Sequence, residues 1–306
     1  MNGILLLDKP EGISSNAALQ RVRRLLGAPK AGHVGSLDPL ATGMLPICLG
    51  EATKLAGEIV GGRKRYAFEI ALGARTDTGD REGAVVETSP VPALDAAAVE
   101  RALAGFRGRL SQIPPMYSAL KRGGEPLYRL ARAGIEVERA AREIEIEEIA
   151  ITSMRQNVIG FETLCSKGTY IRVLGEDIAR ALGTCGHVIR LRRLSVAPFE
   201  RELMLGLDEV EAICRAGGRP KLLAPDQALS DLPAVVVPQE SARRLMHGQA
   251  VAVGAGVEIS ATQPSRVRLY DERGRFLGLG LADGLADGRG TVRPKRMFLV
   301  GEGGSE

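Results

Sequence analysis

A chain of 306 residues, 44% hydrophobic and 25% charged, is long enough for one large domain with a sizeable core and a second small one, and its composition excludes a disordered or fibrous protein. Its formal net charge is only +4, from 41 basic and 37 acidic residues. Attraction for a polyanion would therefore have to come from local basic clusters rather than from the molecule as a whole.

Gly3 to Lys9 reads as a strand, a short apolar run ended by charge and Pro10. Ser14 or Ser15 can cap the helix that follows, where Ala18, Val22, Leu25 and Leu26 make an apolar stripe before Gly27 stops it. Gly32 to Met44 comes next, with Asp38 at its centre. Pro39 biases Asp38 toward extended backbone, Gly32, Gly35 and Gly43 permit sharp turns, and Leu37, Leu40 and Leu45 offer apolar anchors. That combination mounts a carboxylate on a taut loop; taken alone, Asp-Pro equally fits a helix cap or a plain turn.

Leu45 to Leu49 is a buried strand candidate and Glu51 to Val60 a helix. From Arg63 to Gly73 the residues alternate, with Tyr66, Phe68, Ile70 and Leu72 on the core face. On that face Tyr66 can be a packed core residue or a ring that meets a ligand. Asp95 can cap a helix running to Phe106. The stretch Gln112 to Gly124 holds two glycines and two prolines. With the short helix after it, which carries Arg129 and Arg132, it reads either as a protruding element able to grip an RNA backbone or as a loop over the core.

Glu143 to Arg155 and Gly160 to Cys165 read as strands. Ile171, Leu174, Ile178 and Leu182 recur at helical spacing and stop near Gly183, and Arg172 on that helix would by itself be a surface residue. In the strand Gly186 to Val196, alternation puts Leu191 and Arg193 on one face and Arg190, Arg192 and Leu194 on the other. Leu207 to Ala216 is helical. A boundary falls near Leu232-Pro233, followed by a helix from Glu240 to His247. Short strands such as Arg266 to Asp271 and Phe276 to Leu281, punctuated by glycines that include Gly254 and Gly256, then predict a small barrel.

Three basic groups stand out: Arg21, Arg23 and Arg24; Arg63, Lys64 and Arg65; and Arg190, Arg192 and Arg193. Each could neutralise phosphates or simply form a solvated face. Cys48, Cys165, Cys185 and Cys214 include no Cys-x-x-Cys, and His33, His187 and His247 have no metal-ligand spacing. Free thiols and no metal are expected. The opening apolar run is too short for a secretory leader and no run is long enough to cross a bilayer, so a cytoplasmic location is expected.

The stretch Gly32-His33-Val34-Gly35-Ser36-Leu37-Asp38-Pro39-Leu40-Ala41-Thr42-Gly43-Met44-Leu45-Pro46 resembles the catalytic motif of the bacterial TruB family, the tRNA pseudouridine-55 synthases, departing mildly at Val34 and Ser36. Leu6 to Asn16, Leu72 to Asp80, Cys165 to Arg172 and Leu222 to Leu229 are similar to further stretches of the family, as are His247 to Gln249 and Pro294 to Phe298. The resemblance thus covers nearly the whole chain. It implies an α/β fold of the α+β type, the pseudouridine synthase fold, with a mixed, largely antiparallel sheet flanked by helices. The catalytic domain would span 1–231, with a tRNA-clasping insertion at about 113–142, and a PUA-like RNA-binding β-barrel would span 232–306.

The same resemblance implies roles for named residues. Asp38 is the catalytic carboxylate, Arg172 pairs with it and keeps it ionised, and Tyr66 stacks on the target base. Tyr170 and Leu191 border the uridine, while His33 takes the space that flipped bases vacate. The expected substrate is uridine 55 in the T-loop, the expected partner the T-arm stem-loop of tRNA, and the expected state a monomer needing no cofactor and no protein partner. Two other readings stand beside it: a non-catalytic tRNA-binding or folding protein, and a pseudouridine synthase for another RNA.

Overall fold

The structure, a computed structural model, describes residues 1–199, 204–253, 264–283 and 290–298. Among these a nine-stranded sheet forms the larger part. Its strands run in the order Leu205–Gly206, Gly3–Lys9, Thr42–Leu49, Gly186–Val196, Lys64–Leu72, Val158–Cys165, Arg142–Arg155 and Gly108–Gln112, with Ala31–His33 pairing alongside Thr42–Leu49. Two pairings are parallel, those of Gly3–Lys9 with Leu205–Gly206 and of Thr42–Leu49 with Gly186–Val196. The remaining ladders are antiparallel, so the sheet is mixed and largely antiparallel as expected.

Lys64–Leu72 lies in the middle of this sheet, and its alternation is strict. Lys64, Tyr66, Phe68, Ile70 and Leu72 are buried, and the residues between them are half-buried. Phe68 stacks on Phe161 of the neighbouring strand with ring centroids 5.2 Å apart. Against the inner face lie the helices Ile171–Ala181, through Ile171, Leu174 and Ile178, and Ala96–Leu103, through Val99 and Leu103. Each such side chain contributes about 1.5–3 kcal/mol by leaving water. The helix Ser15–Leu25, capped by Ser14, and the helix Leu207–Arg215 cover a second apolar cluster over Gly3–Lys9.

Three expectations change in detail. The helix expected from Glu51 to Val60 is a 3-10 segment, Gly50–Leu55, followed by a short α-helix, Ala56–Val60. Glycines at 50, 57, 61 and 62 crowd so short a run that little helical preference remains. Leu194, expected on the face of Arg190 and Arg192, is buried like its neighbour Arg193, and strict alternation breaks at the register irregularity between Arg193 and Ser195. The expected barrel is a curled five-stranded sheet in the order Ala234–Val237, Ser265–Asp271, Phe276–Asp283, Gly290–Met297 and Val251–Val253. Its two edge strands do not pair among the described residues, and Gly254 and Gly256 lie outside them.

The smaller sheet packs on the larger part. Leu279 and Phe298 share one apolar cluster with Ile4, Leu55, Ile59 and Val196.

Candidate active site

The Asp38 loop is held from three directions. Ser15 Oγ accepts the backbone N–H of Leu37 at 2.7 Å and donates to the Leu37 carbonyl at 2.9 Å. Arg193, buried to 1% exposure, donates to the carbonyls of Gly35 and Met44 at 2.7 Å each. Lys9, fully buried, donates to the carbonyls of Pro10 and Ile13 at 2.8 Å and of Pro39 at 3.4 Å. Beneath the loop Leu37 and Leu40 are buried in the main core and Leu45 in the cluster under the first helix. A carboxylate mounted this way is aimed by its neighbours and not by its own flexibility.

Arg172 meets it from the first turn of Ile171–Ala181. Its Nε lies 3.0 Å from Asp38 Oδ2 and 3.6 Å from Asp80 Oδ2. The guanidinium also donates to the carbonyls of Thr78 and Tyr117, at 2.6 Å each. Its side chain is 4% exposed, whereas that of Asp38 keeps 42% of its surface open. The carboxylate therefore faces space while its counter-ion is locked behind it. Burial pushes the Asp38 pKa above the ordinary carboxylate value, Arg172 pulls it back, and the nearby Asp80 pushes it up again; the net shift is upward. The pairing expected to keep Asp38 ionised thus offsets only part of the cost of its surroundings.

The space that Asp38 faces is a cavity of about 560 Å³, also walled by Tyr66, Tyr170, Leu191 and Arg172. Three separate segments, carrying Tyr66, Tyr170 with Arg172, and Leu191, therefore converge with Asp38. Tyr66 reaches the cavity from the inner face of the central strand and is 7% exposed, with burial raising its phenol pKa. Tyr170, just before the Arg172 helix, is fixed by Gln112, which accepts its N–H at 2.8 Å and donates to its carbonyl at 3.1 Å. Lys64, Arg142, Lys167 and Arg193 also line the cavity, against the acids Asp38 and Glu143. A volume of this size holds one small ligand, and the excess of cations suits a phosphodiester.

His33 is not among the residues lining that cavity. It sits half-buried on Ala31–His33 with Nδ1 buried and unpartnered, and burial together with Arg193 lowers its pKa.

Sequence reasoning missed two groups of positions. Asp80, nearly buried and accepting from the Thr78 hydroxyl at 2.7 Å, stands behind Arg172; Gln112 and Ser15 hold Tyr170 and the loop. Nothing local marks them, since their partners come from distant segments. The basic groups differ too from the phosphate-facing reading. Arg193 faces inward onto carbonyls, Arg192 pairs with Asp8 at 2.6 Å, Arg65 with Glu148 and Glu162, and Arg63 with Glu147. Arg190, 73% exposed at its side chain, reaches Glu69 only at 3.8 Å and otherwise faces outward.

Comparison with known proteins agrees along the whole chain. Residues 23–171 match the model of the TruB family pseudouridylate synthase N-terminal domain, residues 172–242 a tRNA pseudouridylate synthase B C-terminal domain, and residues 233–298 the pseudouridine synthase II TruB C-terminal model. A tRNA pseudouridine synthase B of Chromohalobacter salexigens is 47% identical, covering 100% of this chain and 97% of its own, and one of Nitrosococcus oceani is 48% identical, covering 99% and 96%. Among solved structures, the Cbf5 complex with Nop10 and Gar1 aligns with a TM-score of 0.76 at 23% identity over 97% of this chain and 85% of its own, which speaks for the fold. An H/ACA RNP bound to a substrate RNA containing 2'-deoxyuridine aligns with a TM-score of 0.75 at 21% identity, with 97% and 85% covered. The chain belongs to the TruB family of pseudouridylate synthases and is an isomerase.

Proposed function

We propose that the chain converts uridine 55 in the T-loop of tRNA to pseudouridine, with Asp38 as the catalytic carboxylate. The reaction breaks the N1–C1' bond, turns the base and joins C5 to C1', while the C5 proton leaves and N1 gains one. Atoms and charge balance within one nucleotide, so the chemistry requires no cofactor. Attack on C1', addition to C6 and removal of a sugar proton all start from an ionised carboxylate beside the sugar and base. The observation that carries the reading is the Asp38–Arg172 pair facing a nucleoside-sized cavity also bordered by Tyr66, Tyr170 and Leu191.

In this reading Arg172 holds Asp38 in place and Tyr66 stacks on the extruded base, which leaves its own stack at a cost of roughly a few kcal/mol. Tyr170 and Leu191 confine the freed ring, and His33 fills the stack that flipped bases vacate. The exposed Lys121, Arg122, Arg129 and Arg132 of the 113–142 element grip the T-arm. We assign catalysis to residues 1–231 and RNA binding to the smaller domain at 232–306, acting in a cytoplasmic monomer.

The test is pseudouridine formation on a T-arm stem-loop by the wild type and by Asp38→Asn, with binding of both measured on the same RNA. Asp38→Asn should bind as the wild type does and convert at least about a thousandfold more slowly. A wild type that binds without converting any uridine would leave an RNA-binding or folding protein. Conversion of some other RNA in place of the T-arm would redirect the substrate assignment.

A further inference from the structure

Two carboxylates of the larger part bond the smaller sheet: Asp226 accepts from the Tyr270 hydroxyl at 2.7 Å, and Glu58 carries two cations from two different strands. Glu58, on Ala56–Val60, receives Lys295 Nζ on Oε1 at 3.0 Å and Arg266 Nη1 on Oε2. The two cations sit on Ser265–Asp271 and Gly290–Met297, the strands on either side of Phe276–Asp283. Glu58 therefore spans the smaller sheet across three strands, using a separate oxygen for each cation. Burial pushes its pKa up, the two hydrogen bonds and charges push it down, and the outcome is a lowered pKa, so the clamp is ionised throughout the neutral range. Lys54 adds a bond to the Met297 carbonyl at 2.8 Å.

Around this clamp the contact is apolar, through Leu55, Ile59, Leu279 and Phe298. Apolar burial gives adhesion without direction, whereas a carboxylate bridging two strands fixes an angle. The same short helix reaches the cavity. Val60, two residues beyond Glu58, lines it, and Gly61 and Gly62 lead into the strand that carries Lys64 and Tyr66. The smaller domain also exposes Arg243, Arg273, Arg293 and Arg296, a set of cations suited to a polyanion.

We infer that Glu58 is a positioning residue: it fixes the C-terminal sheet relative to the Asp38 cavity so that one tRNA molecule engages both surfaces at once. The inference rests on the proposed tRNA substrate. A tether that holds two binding surfaces at the correct separation raises the effective concentration of the second contact, and loosening it weakens binding of RNAs that use both. An RNA that occupies only the cavity and its surroundings gains nothing from the clamp.

The experiment compares full-length tRNA with the isolated T-arm stem-loop as substrates of the wild type, Glu58→Gln and Lys295→Gln. For both variants KM on full-length tRNA should rise about three- to tenfold with kcat unchanged. On the stem-loop both constants should stay at wild-type values. A general structural role would shift the two substrates together, and that outcome, or no shift on either, overturns the inference. Lys295→Gln changes a partly exposed side chain and carries the test alone if Glu58→Gln fails to fold. A wild type that converts neither RNA would sink the substrate assignment itself, and the inference with it, whereas normal stem-loop conversion without the split sinks the inference alone.

Discussion

Nε of Arg172 lies 3.0 Å from Oδ2 of Asp38 while the rest of the same guanidinium is committed to the carbonyls of Thr78 and Tyr117. The cation is fixed before substrate arrives, and the carboxylate is oriented against it. A lysine has one compact ammonium and cannot serve three such partners from one position. Arg172→Lys should therefore melt a few degrees lower, bind T-arm RNA within about twofold of the wild type and convert it about 100-fold more slowly. Single-turnover conversion and equilibrium binding separate the two effects. Equal losses in both would make Arg172 an RNA contact instead.

The raised pKa of Asp38 has two measurable consequences. In the proposed reaction the ionised carboxylate is the working form, so the conversion rate should climb with pH and level off above that pKa, placing the acid limb above the ordinary carboxylate range. Asp80 contributes to the rise, so Asp80→Asn should move the limb to lower pH. The sign for folding is the reverse of the usual carboxylate. A folded-state pKa above the unfolded value means that the folded chain holds the proton more tightly. This preference favours folding below the unfolded pKa and is lost as pH rises through the folded one. At neutral pH the charge on Asp38 costs stability, but because 42% of its side chain stays open to solvent, water screens most of this cost, and Asp38→Asn should melt close to the wild type. A lower melting temperature would mean that pairing with Arg172 outweighs burial.

Periodicity is a local property, which is why Tyr66, Phe68, Ile70 and Leu72 announce the central strand and Ile171, Leu174 and Ile178 the helix that covers it. Asp38-Pro39 between glycines likewise marks a taut loop. What holds the loop is not local: Ser15, Lys9 and Arg193 arrive from three other elements. An arginine in a sequence looks the same whether it caps buried carbonyls or reaches for phosphate, so the Arg190–Arg193 group reads as one patch and folds as two different things. Leu194 escapes alternation for a related reason, because a register irregularity leaves no mark in residue type.

That division predicts opposite phenotypes for two neighbours. Arg193→Ala would strand the carbonyls of Gly35 and Met44 and open a void, costing about 3–5 kcal/mol. Conversion should fall further than the unfolded fraction accounts for, because Arg193 braces the Asp38 loop and lines its cavity. Arg190→Ala, at an exposed position, should leave stability within about 0.5 kcal/mol, weaken RNA binding and reduce its salt slope by about one. Urea unfolding and a salt titration of binding check the pair. A wild-type salt slope for Arg190→Ala would remove it from the RNA contacts.

The glycines of the Asp38 loop make a graded test of how the loop is packed. At Gly43, φ is +98° and an added Cβ would lie 2.1 Å from the Arg193 carbonyl oxygen, backbone that cannot retreat without breaking the strand pairing. Gly35 has φ +68° and would place a Cβ 3.1 Å from Arg193 Nη1, the tip of a side chain that can give at the expense of the hydrogen bond its Nη2 donates to the Gly35 carbonyl. Gly32 has an ordinary φ and nothing within 4 Å. Alanine should therefore cost more than about 3 kcal/mol at 43, about 1–2 at 35 and less than about 0.5 at 32. Denaturant unfolding of the three variants gives the order directly. A Gly32→Ala variant as damaged as Gly43→Ala would mean that RNA or a moving loop, and not the static contact with Arg193, dictates glycine in this stretch.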